Sequence, residues 1–132
     1  MEKKKIVICA SVSFEDEIVK WKDKLEAKGF EVIKYPIKIK EDLLTGYDRE
    51  FSEHYKAITK SDILLALNFD KKGIFGYIGA GVFAEMAFAL GLNRAFDKQI
   101  EVCYVNLLPE DGLPYSDELN LWQELGWIRQ FE

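Results

Sequence analysis

The sequence predicts an α/β protein, a flavodoxin- or Rossmann-like three-layer sandwich around a five-stranded parallel sheet in the order 2-1-3-4-5. Three observations carry that expectation. Apolar, strand-like runs recur at Lys5–Ala10, Phe30–Tyr35, Ile63–Asn68, Gln99–Val105 and Trp127–Phe131. Segments with helical spacing separate them. The first run, Lys5-Ile-Val-Ile-Cys-Ala10, lacks the alternation of a half-exposed strand and reads as covered on both faces. Strands alternating with helices build a parallel sheet with helices on both sides. At 132 residues the chain forms one domain, residues 1–132, large enough to bury a real core.

Each element has its own signal. After the first strand, Ser13-Phe-Glu-Asp16 fits a helix start, with Ser13 as N-cap and acidic residues in the first turn. Phe14, Ile18, Trp21 and Leu25 follow as one apolar stripe, and Gly29 ends the helix. Pro36 stops the second strand. Residues 37–47 read as a connection punctuated by Gly46, and a second helix is expected from Asp48 to Lys60. On it Phe51, His54, Tyr55 and Ile58 share a face. Ser61-Asp62 turns the chain into the third strand, and a glycine loop leads to a helix over Gly81–Asn93. That helix is apolar nearly all round, which implies cover on more than one side, the second cover being another subunit. A loop over Leu107–Pro114 and a short helix over Ser116–Leu125 precede the last strand.

Composition narrows the function classes. The chain is 48% hydrophobic and 31% charged, as a globular protein is. A net charge of −5 argues against a nucleic-acid partner, since such partners need a basic face. Cys9 and Cys103 sit in separate apolar strands and read as reduced, buried thiols. No leader fits the N-terminal pattern, so the cytoplasm is the expected location. The stretch Gly73–Leu92 has the length of a membrane span, but its five glycines and mid-segment glutamate count against one. A single histidine and two separated cysteines supply no metal cluster, and no cofactor motif appears. The glycines at 76, 79 and 81 match neither a dinucleotide fingerprint nor a P-loop.

Glu85 is the one charge in that apolar, glycine-rich stretch. Burying such a carboxylate is costly without a reason. Two readings stand: a carboxylate bonded to its neighbours to hold the loop, or a reacting group near the switch point where α/β sheets bind ligands. A desolvated carboxylate suits attack on a sugar carbon that gains positive charge as its bond breaks. His54, on an apolar helix face, is either a satisfied core residue or an acid, base or hydroxyl-orienting group. Ser11, Ser13 and Phe14 follow strand one; Asn68, Asp70, Tyr77, Gly79 and Gly81 follow strand three. These two loops converge on the switch point and supply the candidate substrate contacts.

The string Ser61-Asp-Ile-Leu-Leu-Ala-Leu-Asn68, the glycine loop, and Gly81-Val-Phe-Ala-Glu-Met-Ala-Phe-Ala89 together resemble the nucleoside 2-deoxyribosyltransferase superfamily. Ile6–Phe14 is similar to that family's first strand and substrate loop, and the likeness covers most of residues 5–108. The resemblance implies a flavodoxin-like core and a homodimer or higher homo-oligomer with active sites near subunit contacts; no cofactor is expected. It implies cleavage or transfer at the N-glycosidic bond of a nucleoside or nucleotide, with Glu85 attacking the anomeric carbon. His54 stands where the transferases carry an aspartate that handles the base, and Gly79 near a second acidic position. In the phosphohydrolase relatives, serines and basic residues near the first loop hold a 5′-phosphate; Ser11 and Ser13 match, and Lys71 or Lys72 would replace the missing arginine. The alternative is a domain of a different class, one that binds or senses a nucleotide without turnover.

Overall fold

The structure is a computed structural model that describes residues 2–132. Five strands, β1 (Lys5–Cys9), β2 (Glu31–Lys34), β3 (Ile63–Ala66), β4 (Glu101–Tyr104) and β5 (Ile128–Gln130), form one sheet in the order β2-β1-β3-β4-β5. All four pairings are parallel. Four helices connect them: α1 (Glu15–Ala27), α2 (Leu43–Thr59), α3 (Ala80–Phe96) and α4 (Ser116–Glu124). This is the predicted flavodoxin-like α/β architecture and the predicted strand order.

Alternate residues of the central strands feed two separate cores, one per face of the sheet. Val7, Cys9, Leu64, Ala66, Val102 and Tyr104 pack with Ile58 of α2, Met86 and Leu90 of α3, and Leu119 and Trp122 of α4. On the opposite face Ile6, Ile8, Ile63 and Leu65 pack with the α1 stripe of Phe14, Ile18, Trp21 and Leu25. The layers are therefore uneven, with three helices on one side and α1 on the other. No described helix is long and apolar enough to cross a membrane. Both cysteines are free and buried.

Three boundaries differ from expectation, each for a local reason. Ser13 is not an N-cap of α1: Ser11 caps a short 3₁₀ turn, Val12–Phe14, and α1 opens only at Glu15. The second helix opens at Leu43, five residues before Asp48, because the Asp42 side chain accepts from the Thr45 amide. Gly46 punctuates nothing; it lies buried inside α2, where a Cβ would run into the Ile39 side chain. The third helix runs on to Phe96 and ends at Asp97 in the left-handed conformation, φ 57°.

Much of the apolar perimeter of α3 is covered within the chain, while Ala80, Ala84, Gly91, Ala95 and Phe96 stay exposed. Phe88 packs on Tyr55 of α2 at 5.0 Å between ring centroids. Phe83 stacks on Trp122 of α4 at 5.0 Å and on Tyr115 at 4.4 Å. The sheet covers the helix's third side. As the inner helix of three, α3 takes cover on more than one side from its own chain.

Candidate active site

At the carboxyl ends of β1 and β3 lies a cleft of about 570 Å³. Its walls are the Ala10–Val12 turn after β1, the Pro36–Ile39 segment after β2, the cleft-side face of α2, and the first turns of α3. Such a position follows from strand order: the loops after β1 and β3 diverge to opposite faces and leave a crevice between them.

Glu85, His54 and Cys9 meet on the cleft floor. Nε2 of His54 lies 3.3 Å from Oε2 of Glu85 and 3.3 Å from Sγ of Cys9. Each residue offers one ligating atom, and these three atoms lie within 4.8 Å of one another. The Glu85 side chain is 18% exposed and that of His54 is 7% exposed; Cys9 is fully buried. Glu85 and His54 line the cleft whereas Cys9 lies behind them.

Burial dominates the electrostatics. It lifts the Glu85 carboxyl to about 7, with the hydrogen bond from Cys9 opposing. It lowers His54 to about 4, helped by the Lys34 ammonium and opposed by Glu50. The Cys9 thiol is pushed well above its ordinary value by burial and then by Glu85. His54 and Glu85 are therefore not a fixed ion pair at neutral pH. When Glu85 is protonated its O–H donates to a bare Nε2, and when it is ionised an Nε2–H tautomer donates to the carboxylate.

The remaining walls suit a flat ring and an anionic group. Tyr47, Phe51 and Tyr55 succeed one another along α2, with centroids 5.8 and 4.2 Å apart. Tyr47 and Phe51 are exposed and face the cleft. At the opposite rim Lys71 Nζ donates to Ser11 Oγ at 2.8 Å. A two-residue turn aims that lysine: Lys72 and Gly73 both have positive φ, and Lys71 and Ile74 exchange backbone hydrogen bonds. Gly79 opens α3 without a side-chain cap, and a Cβ on Gly81 would meet open space.

Of the residues singled out from sequence, Glu85, His54, Ser11, Tyr77, Gly79 and Gly81 line the cleft. Ser13, Phe14, Asn68 and Asp70 are not among its lining residues. Ser13 bonds Ser11 through their hydroxyls at 2.8 Å. Phe14 packs edge-on against Phe69 in the α1 core. Asn68 is buried and ties two loop segments to the end of β3: it donates to Gly76 and Asn106 carbonyls and accepts from the Val105 and Asn106 amides. Asp70 accepts from the Gly76 amide at 3.1 Å. Asn68 and Asp70 shape the loop from behind. Sequence reasoning missed Cys9 as a partner of the floor, and Tyr47, Phe51 and Glu50 as walls. The four-residue spacing of Tyr47, Phe51 and Tyr55 was the available signal.

No protein-family model matches the chain, and no curated protein matches it in sequence. Among solved structures, the crystal structure of the RPS4 and RRS1 TIR domain heterodimer is similar to it. The match covers 99% of this chain and 84% of that chain, at 21% identity and a TM-score of 0.51. A likeness at that identity bears on the fold alone, and it is the same fold.

Proposed function

We propose that the chain cleaves or transfers at the N-glycosidic bond of a nucleoside or nucleotide, with Glu85 as nucleophile. One observation carries the reading: the sole carboxylate of the cleft floor is desolvated yet open to the cleft, rather than sealed behind its neighbours. The resemblance of Ser61–Ala89 to nucleoside 2-deoxyribosyltransferases supports it independently. In the reaction, a Glu85 carboxylate oxygen bonds to C1′ as the C1′–N bond breaks, and the base leaves with that electron pair. Water or a second base then attacks C1′ and returns the carboxylate. The proton released by the incoming water or base goes to the departed base, and neutral His54, as its Nε2–H tautomer, donates a hydrogen bond to the ionised Glu85 carboxylate. The aromatic wall of α2 gives the leaving base a surface to stack on.

The test follows free base by chromatography on a panel of nucleosides and their 5′-monophosphates. Wild type releases base, and Glu85→Gln loses about three orders of magnitude or more of that rate. Equal rates in both proteins, or none in wild type, overturn the reading. The contacts that Glu85 makes to Cys9 and His54 favour one rival, a domain that binds nucleotide without turnover. It shows as thermal stabilisation by a nucleotide with no base released.

A further inference from the structure

Cys9 comes from the end of β1, His54 from the fourth turn of α2, and Glu85 from the second turn of α3. Three separate elements thus bring sulfur, nitrogen and oxygen to one point. Cys9 and Glu85 both approach the same His54 nitrogen at 3.3 Å, and Cys9 also hydrogen-bonds Glu85, so the three atoms close into a triangle. A ring nitrogen has one lone pair or one hydrogen, so it satisfies one of the two at a time. A cation placed between the three atoms would satisfy all of them at once.

We propose that Cys9 Sγ, His54 Nε2 and a Glu85 carboxylate oxygen form a binding site for a borderline-soft divalent metal ion of the zinc type. The spacing fits. Zinc bonds of about 2.3 Å to sulfur and about 2.0–2.2 Å to nitrogen and oxygen, at tetrahedral angles, set ligand atoms roughly 3.3–3.6 Å apart. The two 3.3 Å separations from His54 need only small adjustments, and Cys9 Sγ and the Glu85 oxygen lie within 4.8 Å of each other. The donor set is selective, since thiolate and imidazole favour zinc, cobalt or copper over magnesium and calcium. A thiolate and a carboxylate also bring two negative charges, so a dication leaves the buried site neutral. Three protein ligands leave a fourth position open, and Glu85 and His54 direct it into the cleft.

The inference shares Glu85 with the glycosidic reading, but its readout is metal binding rather than turnover, so the two can fail separately. The chain is stripped with EDTA, desalted and titrated with cobalt(II), whose thiolate charge-transfer band reports sulfur ligation directly. The expected result is saturation at one equivalent per chain, with the band abolished on adding zinc. Cys9→Ser removes the band, whereas Cys103→Ser keeps it. Glu85→Gln, whose side chain sits at the cleft rather than in the core, binds cobalt at least about tenfold more weakly. Melting curves in EDTA establish that each variant is folded. No saturable band in wild type, a band that survives Cys9→Ser, or unchanged affinity in Glu85→Gln overturns the proposal.

Discussion

Oε2 of Glu85 and Nε2 of His54 lie 3.3 Å apart, and burial moves their proton affinities in opposite directions. Between about pH 4.5 and 6.5 the folded chain keeps a proton on Glu85 that the unfolded chain releases. Over the same range the unfolded chain protonates His54, which the folded chain leaves neutral. The first effect lowers stability as pH rises and the second raises it, so in wild type they offset one another. Single variants separate them. In metal-free buffer, Glu85→Gln leaves only His54, near Lys34 of β2 and Glu50 of α2, and stability rises with pH from about 4 to 6.5. His54→Gln leaves only Glu85, beside Cys9 of β1, and stability falls as pH rises from about 4.5 to 7. Each slope approaches about 1.4 kcal/mol per pH unit. Urea melts across that range check it; slopes of the same sign in both variants contradict it.

On the proposed reading, Lys71 is the residue expected to favour a nucleotide over a nucleoside. Its ammonium lines the cleft, held to Ser11 Oγ at 2.8 Å and near the uncapped start of α3. A 5′-phosphate would displace that hydroxyl contact and gain a charge-assisted bond. Lys71→Ala is then expected to raise KM for a 5′-monophosphate about tenfold while leaving the matching nucleoside unchanged. Steady-state rates on the pair decide it, and equal effects on both substrates would remove the phosphate from the picture.

Much of this architecture is legible in the sequence because periodicity is. The stripe Phe14, Ile18, Trp21, Leu25 lands together in one core as its spacing requires. The start of α2 was not legible, since Gly46 reads as a breaker until Ile39 is seen packed against it. Glu85 was marked by its isolated charge. Cys9 was not marked at all. In a strand apolar at every position, alternation no longer tells which side chains face which layer, so the step from core thiol to floor of the cleft needs the helix that brings His54 to it. Asn68 shows the reverse error: a polar residue at a strand end looks like a ligand contact, but here its four bonds all go to backbone.

Those four bonds give a stability prediction. Asn68→Ala strands the Val105 and Asn106 amides near the sheet end and releases the Gly76 carbonyl. Gly76 itself sits at φ 67°, pressed against the Leu107 carbonyl, so the loop has no room to repack. A loss of about 2–4 kcal/mol is expected in denaturant melts. Asp70→Ala, which removes one bond to the Gly76 amide at an exposed position, should cost about 1 kcal/mol or less. A smaller loss for Asn68→Ala than for Asp70→Ala would contradict this ranking.

Zinc and substrate would compete for the same carboxylate. An oxygen of Glu85 coordinated to a metal has its lone pair committed and its charge neutralised, so it cannot bond to C1′. If base release depends on Glu85, adding one equivalent of zinc to the stripped chain should suppress it, and EDTA should restore it fully. Magnesium at the same concentration should do neither, because thiolate and imidazole ligands bind it poorly. Cys9→Ser should resist zinc, its own rate of base release changing little across the titration, since it lacks the thiolate while Glu85 and His54 remain. Rate measurements on wild type and Cys9→Ser across a zinc titration check both halves. Zinc-stimulated turnover would mean instead that the metal takes part in the reaction, and that Glu85 serves as its ligand rather than as the attacking group.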